Sequence, residues 1–430
     1  MKKNKFLKMT MLLIIGGFIT KILGMLIKIV MTRFIGTEGI GIYMLIMPTF
    51  SLLVSLTQFG FPVAISKLVA EDRFNNKKLV FGIIPISLGI CFIILLVLLS
   101  SGQFIATELL KEERTYLGLI SIGFILPFIA ISSILRAYFF GKERMFPHVI
   151  SNILEDVIRL VLIILFVPSI LKMGLSYVVA FLILISIFSE LSSIIIFLIC
   201  LPNKISLKKE DFKPKKDYLK TVLSISIPTT GSRIIGSIGY FLEPIILAYT
   251  FKQCGYSNNF MITEYGILNG YVLPLLLLPS FFTMAISQAL IPIISKTYTQ
   301  HNLKETKRKI KQAIFYSLVV GIPCTLLFIL IPEIPLRLIY NTTEGISYIK
   351  ILAPICLLYY IQSPLNGTLQ AMGKAKEAMK GTLLGMIFRT AFLFVFSLLH
   401  IGMWGLVIAV STNIIIVTIH QMKKVNEALK

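Results

Sequence analysis

The chain has 430 residues, of which 56% are hydrophobic and only 14% charged, and its mean hydropathy is +0.87. A soluble globular protein is roughly 45–50% apolar and about 25% charged, so this composition excludes an ordinary soluble domain and points to a chain immersed in lipid. The formal charge of +22 invites a nucleic-acid reading, which the placement of the charges argues against.

A membrane-crossing helix needs about 20 mostly apolar residues, and such runs recur from end to end. The first, 9–31, is too long, and too poor in a small-residue cleavage site, to be a cleaved signal peptide. It carries Lys21 and Lys28, whose seven-residue spacing sets them within about 20° on one helix face. The second, 40–65, follows the glycine-rich "GTEGIGIY" and contains "FGFP" at 59–62; both suit a hinge or close packing. Runs at 79–101 and 115–140 come next, and Arg136 near the end of the latter reads as an interfacial anchor. The fifth, 148–169, holds Glu155, Asp156 and Arg159. Glu155 and Arg159 are spaced i,i+4 in the favourable order for an ion pair, which leaves Asp156 to pair across helices. The sixth, 174–201, holds Glu190, with no partner in sequence range.

A polar, basic segment, "PNKISLKKEDFKPKKDYLK" at 202–220, follows. The remaining runs are 221–250, 264–294, 312–332, 349–371, 378–399 and 401–421. The seventh contains Arg233 and also Glu243, beside Pro244; the eleventh contains Arg389. The expectation is therefore an all-α polytopic membrane protein of about twelve transmembrane helices. Residues 1–201 and 221–430 form two six-span halves around a central cavity, joined by the linker 202–220. Breaks or bends are expected at Pro62, Pro228, Pro244, Pro274, Pro279 and Pro292.

If the loops alternate from an inside N-terminus, inside segments hold most of the 42 Lys and Arg residues. This asymmetry follows the positive-inside rule and predicts both termini on the cytoplasmic side of the membrane. The basic excess is then mostly topogenic, with some attraction to anionic lipid, and no nucleic-acid partner is expected. Short repeats support the division: "AISK" at 64–67 and "IISK" at 293–296, Gly141-Lys142 and Gly373-Lys374, "TKILG" at 20–24 and "SRIIG" at 232–236. Six spans per unit give parallel repeats, a transporter plan with a central site and alternating access.

Catalytic and metal chemistry find no support. No G-x-x-x-x-G-K-[ST] phosphate loop is present, the four histidines are scattered, and the five cysteines show no metal or disulfide spacing. Neither an enzyme nor a bound cofactor is expected.

"RFIGTEGIGIYMLIMPTF" (33–50), "LTQFGFPVAISKLVAE" (56–71), "IAISSILRAYFFGKERMFP" (129–147), "SISIPTTGSRIIGSIGYFLEPIILA" (224–248) and "LAPICLLYYIQSPLNGTLQAMG" (352–373) resemble the polysaccharide-exporter branch of the MATE-like flippase superfamily, and its sporulation members most. The resemblance implies a spore-forming bacterium and export of an undecaprenyl-linked peptidoglycan or polysaccharide precursor for the spore cortex. It also implies a lipid-linked sugar pyrophosphate as substrate and, as further partners, cell-wall synthesis proteins. Related lipid II flippases use cations in the first span, and Lys21 matches one of them in the "TKILG" context. Members commonly carry two further C-terminal spans. Their absence after "HQMKKVNEALK" implies a shortened form or another way of accommodating the prenyl tail.

Intramembrane charges are costly and usually face the protein interior or a wet cavity. Lys21, Lys28 and Arg233 are expected to bind the pyrophosphate in a cationic cavity, although Lys28 could instead snorkel to the surface. Glu243 is the candidate for Na⁺ or H⁺ coupling, or else it neutralises Arg233. Glu155, Asp156, Arg159, Glu190 and Arg389 complete the set as structural or cavity charges. Gln58, Gln362 and Asn366 are expected to be interhelical hydrogen-bonding residues. Two other readings stay open: a drug or cation antiporter, for which an acidic cavity is expected, and a non-transporting scaffold for cortex-synthesis machinery.

Overall fold

A computed structural model describes residues 2–72, 74–202, 209–213 and 216–429, so 203–208 and 214–215 of the expected linker lie outside the described residues. In chain order the helices are α1 (Lys2–Gln58), α2 (Phe61–Ala70), α3 (Asn76–Phe104), α4 (Tyr116–Gly141), α5 (Phe146–Ile170), α6 (Leu175–Ile199) and α7 (Lys216–Gln253). They continue as α8 (Asn258–Gly266), α9 (Leu273–Leu276), α10 (Ser280–Thr299), α11 (Leu303–Leu330), α12 (Glu333–Tyr340), α13 (Ile346–Ala371), α14 (Ala375–Ser397) and α15 (Trp404–Ala428). No strand occurs among the described residues.

Nine helical stretches among the described residues are long and apolar enough to cross a membrane, or ten when the bent pair Asn258–Leu276 and Ser280–Ser287 is one span. The first of them, Ile15–Ala70, covers 56 residues, enough for two crossings at 1.5 Å per residue. It divides at Gly36, whose φ of 65° and ψ of −173° interrupt the helix of α1. That conformation suits glycine, which has no Cβ to clash. α5 has the length of a crossing, but its centre holds Glu155, Asp156 and Arg159.

Three of the expected breaks occur as such. Pro274 and Pro279 flank the 49° bend before α10, whereas α7 runs unbroken through Pro228 and Pro244. "FGFP" separates α1 from α2, with Phe59 at φ 45° and Gly60 at φ 62°, and Pro62 fits the first turn of α2. A Cβ on Gly60 would lie 2.7 Å from the Ser226 carbonyl oxygen of α7. The motif therefore serves both as a chain break and as a close-packing point.

The chain forms two compact units, Met1–Phe241 and Leu242–Lys430. The sequence places the division at 202–220; the units instead part inside α7. The physical reason lies in the first half of α7, where Val222, Leu219, Leu223 and Ile225 join the core of the first unit around Phe61, Phe139 and Phe197. Ser237 also shares a hydrogen bond with Ser55 of α1 at 3.1 Å.

Within the first unit α4 packs on α2, α3 and α6, and α6 packs on α5. Within the second, α13 packs on α10, α11 and α15, and α15 packs on α14. The two units thus share one internal order of helix pairings. The second core gathers Ile294, Ile310, Ile361, Leu365, Leu369 and Val425.

The Gly-Lys turn after α4 is tied by Lys142, which donates to Asp72 at 2.9 Å. That hydrogen bond, then one from Asn76, holds the Asp72 carboxyl below the usual carboxylate range. The link is present at neutral pH and is lost as pH falls through the lowered value.

Candidate functional site

Three helices of the first unit each contribute two polar residues one turn apart, so each pair lies on a single helix face. They are Ser132 and Arg136 on α4, Glu155 and Arg159 on α5, and Ser186 and Glu190 on α6. Together with Tyr43 and Gln58 of α1 they line a cavity of about 360 Å³, whose apolar walls include Ile27, Met31 and Phe50. At about 30 Å³ per water molecule, the cavity is large enough for a small hydrated cluster.

Glu155 is the hub of the cluster. It accepts from Arg159 at 3.1 Å and Ser193 at 3.2 Å, and lies 3.6 Å from Arg136. Arg136 also sits over the Phe197 ring, 5.9 Å from its centroid, a favourable cation–π distance. Arg159 lies 3.5 Å from Asp156. Glu190 is buried and accepts a hydrogen bond from the Ser132 hydroxyl. Among the described residues no cation lies within 4.0 Å of Glu190. With both glutamates ionised, the two arginines and two glutamates of the lining balance, so the cavity is not an acidic one.

The second unit holds a separate buried cluster. Glu243 on α7 is 1% exposed. One of its carboxylate oxygens pairs with Arg389 of α14, and the other accepts from Tyr265 of α8 at 3.1 Å. Both oxygens are therefore engaged by donors of this chain.

Several sequence expectations change on this geometry. Arg136 is not an interfacial anchor; it enters the unit-one cavity because its turn of α4 faces Glu155. Asp156 pairs within its own helix, at i,i+3, and not across helices. Glu243 neutralises Arg389, 146 residues away, and not Arg233. The Glu155–Arg159 pair forms as the spacing indicates. Gln362 donates to the Ile414 carbonyl and to Thr418, both at 2.9 Å, as expected of an interhelical hydrogen-bonding residue. Gln58 lines the cavity instead. Lys21 is exposed, and Lys28 and Arg233 are half-buried; none of the three lines the unit-one cavity. Ser132 and Ser193 escaped the sequence reading, and the "SS" pairs at 132–133 and 192–193 in otherwise apolar spans were their only signal.

This all-helical, multi-span architecture is that of MATE transporters of the MOP superfamily. An inward-facing multidrug resistance MATE transporter matches with a TM-score of 0.68 over 95% of each chain, at 15% identity. A MOP superfamily transporter from Pyrococcus furiosus, described for the reverse polarity of its binding pocket, matches at 0.64 over 100% of this chain and 97% of that one, also at 15% identity. The polysaccharide biosynthesis protein family model matches residues 6–298, and the MatE model matches residues 270–395.

The chain belongs to the polysaccharide biosynthesis protein family. It is 36% identical to stage V sporulation protein B of Bacillus subtilis, over 100% of this chain and 85% of that protein. It is 20% identical to the lipid II flippase MurJ of the same organism, over 90% of this chain and 76% of that one. These relationships place it among membrane transporters and not among enzymes.

Proposed function

We propose that the protein flips an undecaprenyl-linked peptidoglycan or polysaccharide precursor across the bacterial cell membrane by alternating access, in building the spore cortex. The observation that carries this reading is the end-to-end similarity to stage V sporulation protein B, joined by a second relative named as a lipid II flippase. Lys21, Lys28 and Arg233 bind the pyrophosphate of the head group, since charge-assisted hydrogen bonds from cations strengthen at low dielectric. The prenyl tail stays in lipid, both termini lie in the cytoplasm, and cell-wall synthesis proteins take up the exported head group.

The drug-antiporter reading calls for an acidic cavity, and two guanidinium groups in the unit-one cavity weigh against it. Proteoliposomes separate the two readings. The purified chain is expected to move a lipid-linked sugar pyrophosphate and to leave a cationic dye untransported. Dye transport without lipid movement would favour the antiporter, and neither activity would favour the scaffold.

Coupling is assigned to a proton at Glu190 and not to Glu243, because Arg389 and Tyr265 already engage both oxygens of Glu243. Glu190 has only the neutral Ser132 hydroxyl as its hydrogen-bond donor among the described residues. Glu190→Gln is expected to preserve folding while abolishing the acceleration of flipping by an imposed pH gradient. An unaltered gradient response would reject this assignment.

A further inference from the structure

The start of α11 reads "LKETKRKIKQ", and its charges are sorted by face. Lys304, Lys307, Arg308 and Lys311 are exposed, whereas Thr306, Ile310 and Ala313 are buried. Offsets of three, four and seven put the four cations on one stripe of the helix. With Asn302 and Glu305 they border a recess of about 480 Å³. Glu305 lies 3.0 Å from Arg308 and 3.7 Å from Lys309. Among the described residues no carboxylate lies within 4.0 Å of Lys304, Lys307 or Lys311.

The stripe is firmly held. Thr306 donates to Thr297 of α10 at 2.9 Å, and Ile310 sits in the second unit's core. Its depth in the membrane follows from length. The 28 residues of α11 rise about 42 Å, against about 30 Å of hydrocarbon. The excess of about 12 Å falls at the charged end, because the residues after Gln312 are the apolar ones. The cations therefore stand at the depth of phospholipid phosphates. A topogenic role alone asks only that Lys and Arg be numerous in a loop; it does not ask that they share one helix face.

We infer that this stripe is a binding site for the phosphate of an anionic phospholipid, seated beside α11 at the membrane surface. Each Lys or Arg near an anionic bilayer adds electrostatic attraction. Four on one face are therefore expected to hold such a lipid at least about tenfold more strongly than a zwitterionic one.

Native mass spectrometry of the full chain in detergent tests this, with phosphatidylglycerol, phosphatidylcholine and inorganic pyrophosphate as probes. The wild type is expected to retain phosphatidylglycerol over phosphatidylcholine. The variant Lys304→Ala/Lys307→Ala/Arg308→Ala/Lys311→Ala is expected to lose that preference, and the charge-preserving Lys304→Arg/Lys307→Arg/Lys311→Arg to keep it. Should the fourfold variant fold poorly, Lys307→Ala/Lys311→Ala is expected to show a partial loss. An unchanged preference in the alanine variants would overturn the proposal. So would displacement of the lipid by equimolar inorganic pyrophosphate, which would make the site one for soluble phosphates.

Discussion

Replacing Arg389 by alanine is expected to lower the stability of the folded chain by about 3 kcal/mol, because breaking a buried ion pair strands the surviving charge. Glu243 is that charge: it is 1% exposed and, among the described residues, would keep only the Tyr265 hydroxyl, at 3.1 Å. The effect should be an unpaired-charge effect and not a packing effect. Glu243→Leu/Arg389→Leu, which removes both charges, should accordingly recover most of the loss. Thermal or denaturant unfolding of the detergent-solubilised protein checks this. A double variant as unstable as Arg389→Ala would show that the pair's packing matters more than its charge balance.

The second large effect is expected at Glu155. Its carboxylate receives Arg159, Ser193 and, at a longer distance, Arg136, so Glu155→Ala leaves two partly buried guanidinium groups without their shared anion. The loss should be about 2 kcal/mol, at the lower end for removing one partner of a buried charge, since Arg159 keeps Asp156 at 3.5 Å. Glu155→Gln keeps an acceptor for Ser193 and should fall between alanine and the wild type in the same unfolding measurement. Equal stabilities for the three proteins would contradict the placing of Glu155 at the hub.

Crossing helices are legible in sequence because each must be a long apolar run, whatever its neighbours are. The helix of α5 was legible from its flanking apolar residues, although its three central charges leave it outside the nine stretches apolar enough to cross. The Glu155–Arg159 pair was legible for the same kind of reason: helical geometry alone brings i and i+4 together. Arg136 and Arg389 were not. Their partners stand on other helices, 19 and 146 residues away, and only the tertiary packing within each unit brings the charges into register. A polar linker is a conspicuous sequence feature, and the expected division follows it, whereas the compact units part within α7. The packing of Val222 and Ser237 into the first unit depends on shape, which composition does not reveal. Pro228 and Pro244 likewise marked possible bends, yet α7 runs through both, while the 49° bend falls at Pro274 and Pro279.

The relatives establish the family, and Lys21 and Arg233 carry the proposed substrate chemistry. The most direct test is the initial rate at which a lipid-linked sugar pyrophosphate appears on the far leaflet of proteoliposomes. The wild type is to be compared with Lys21→Ala and Arg233→Ala at matched protein density. A hydrogen bond to a charged group contributes about 1.5–3 kcal/mol, so each alanine variant is predicted to flip at least about tenfold more slowly, with its unfolding midpoint unchanged. Flipping at the wild-type rate by both variants would contradict the account.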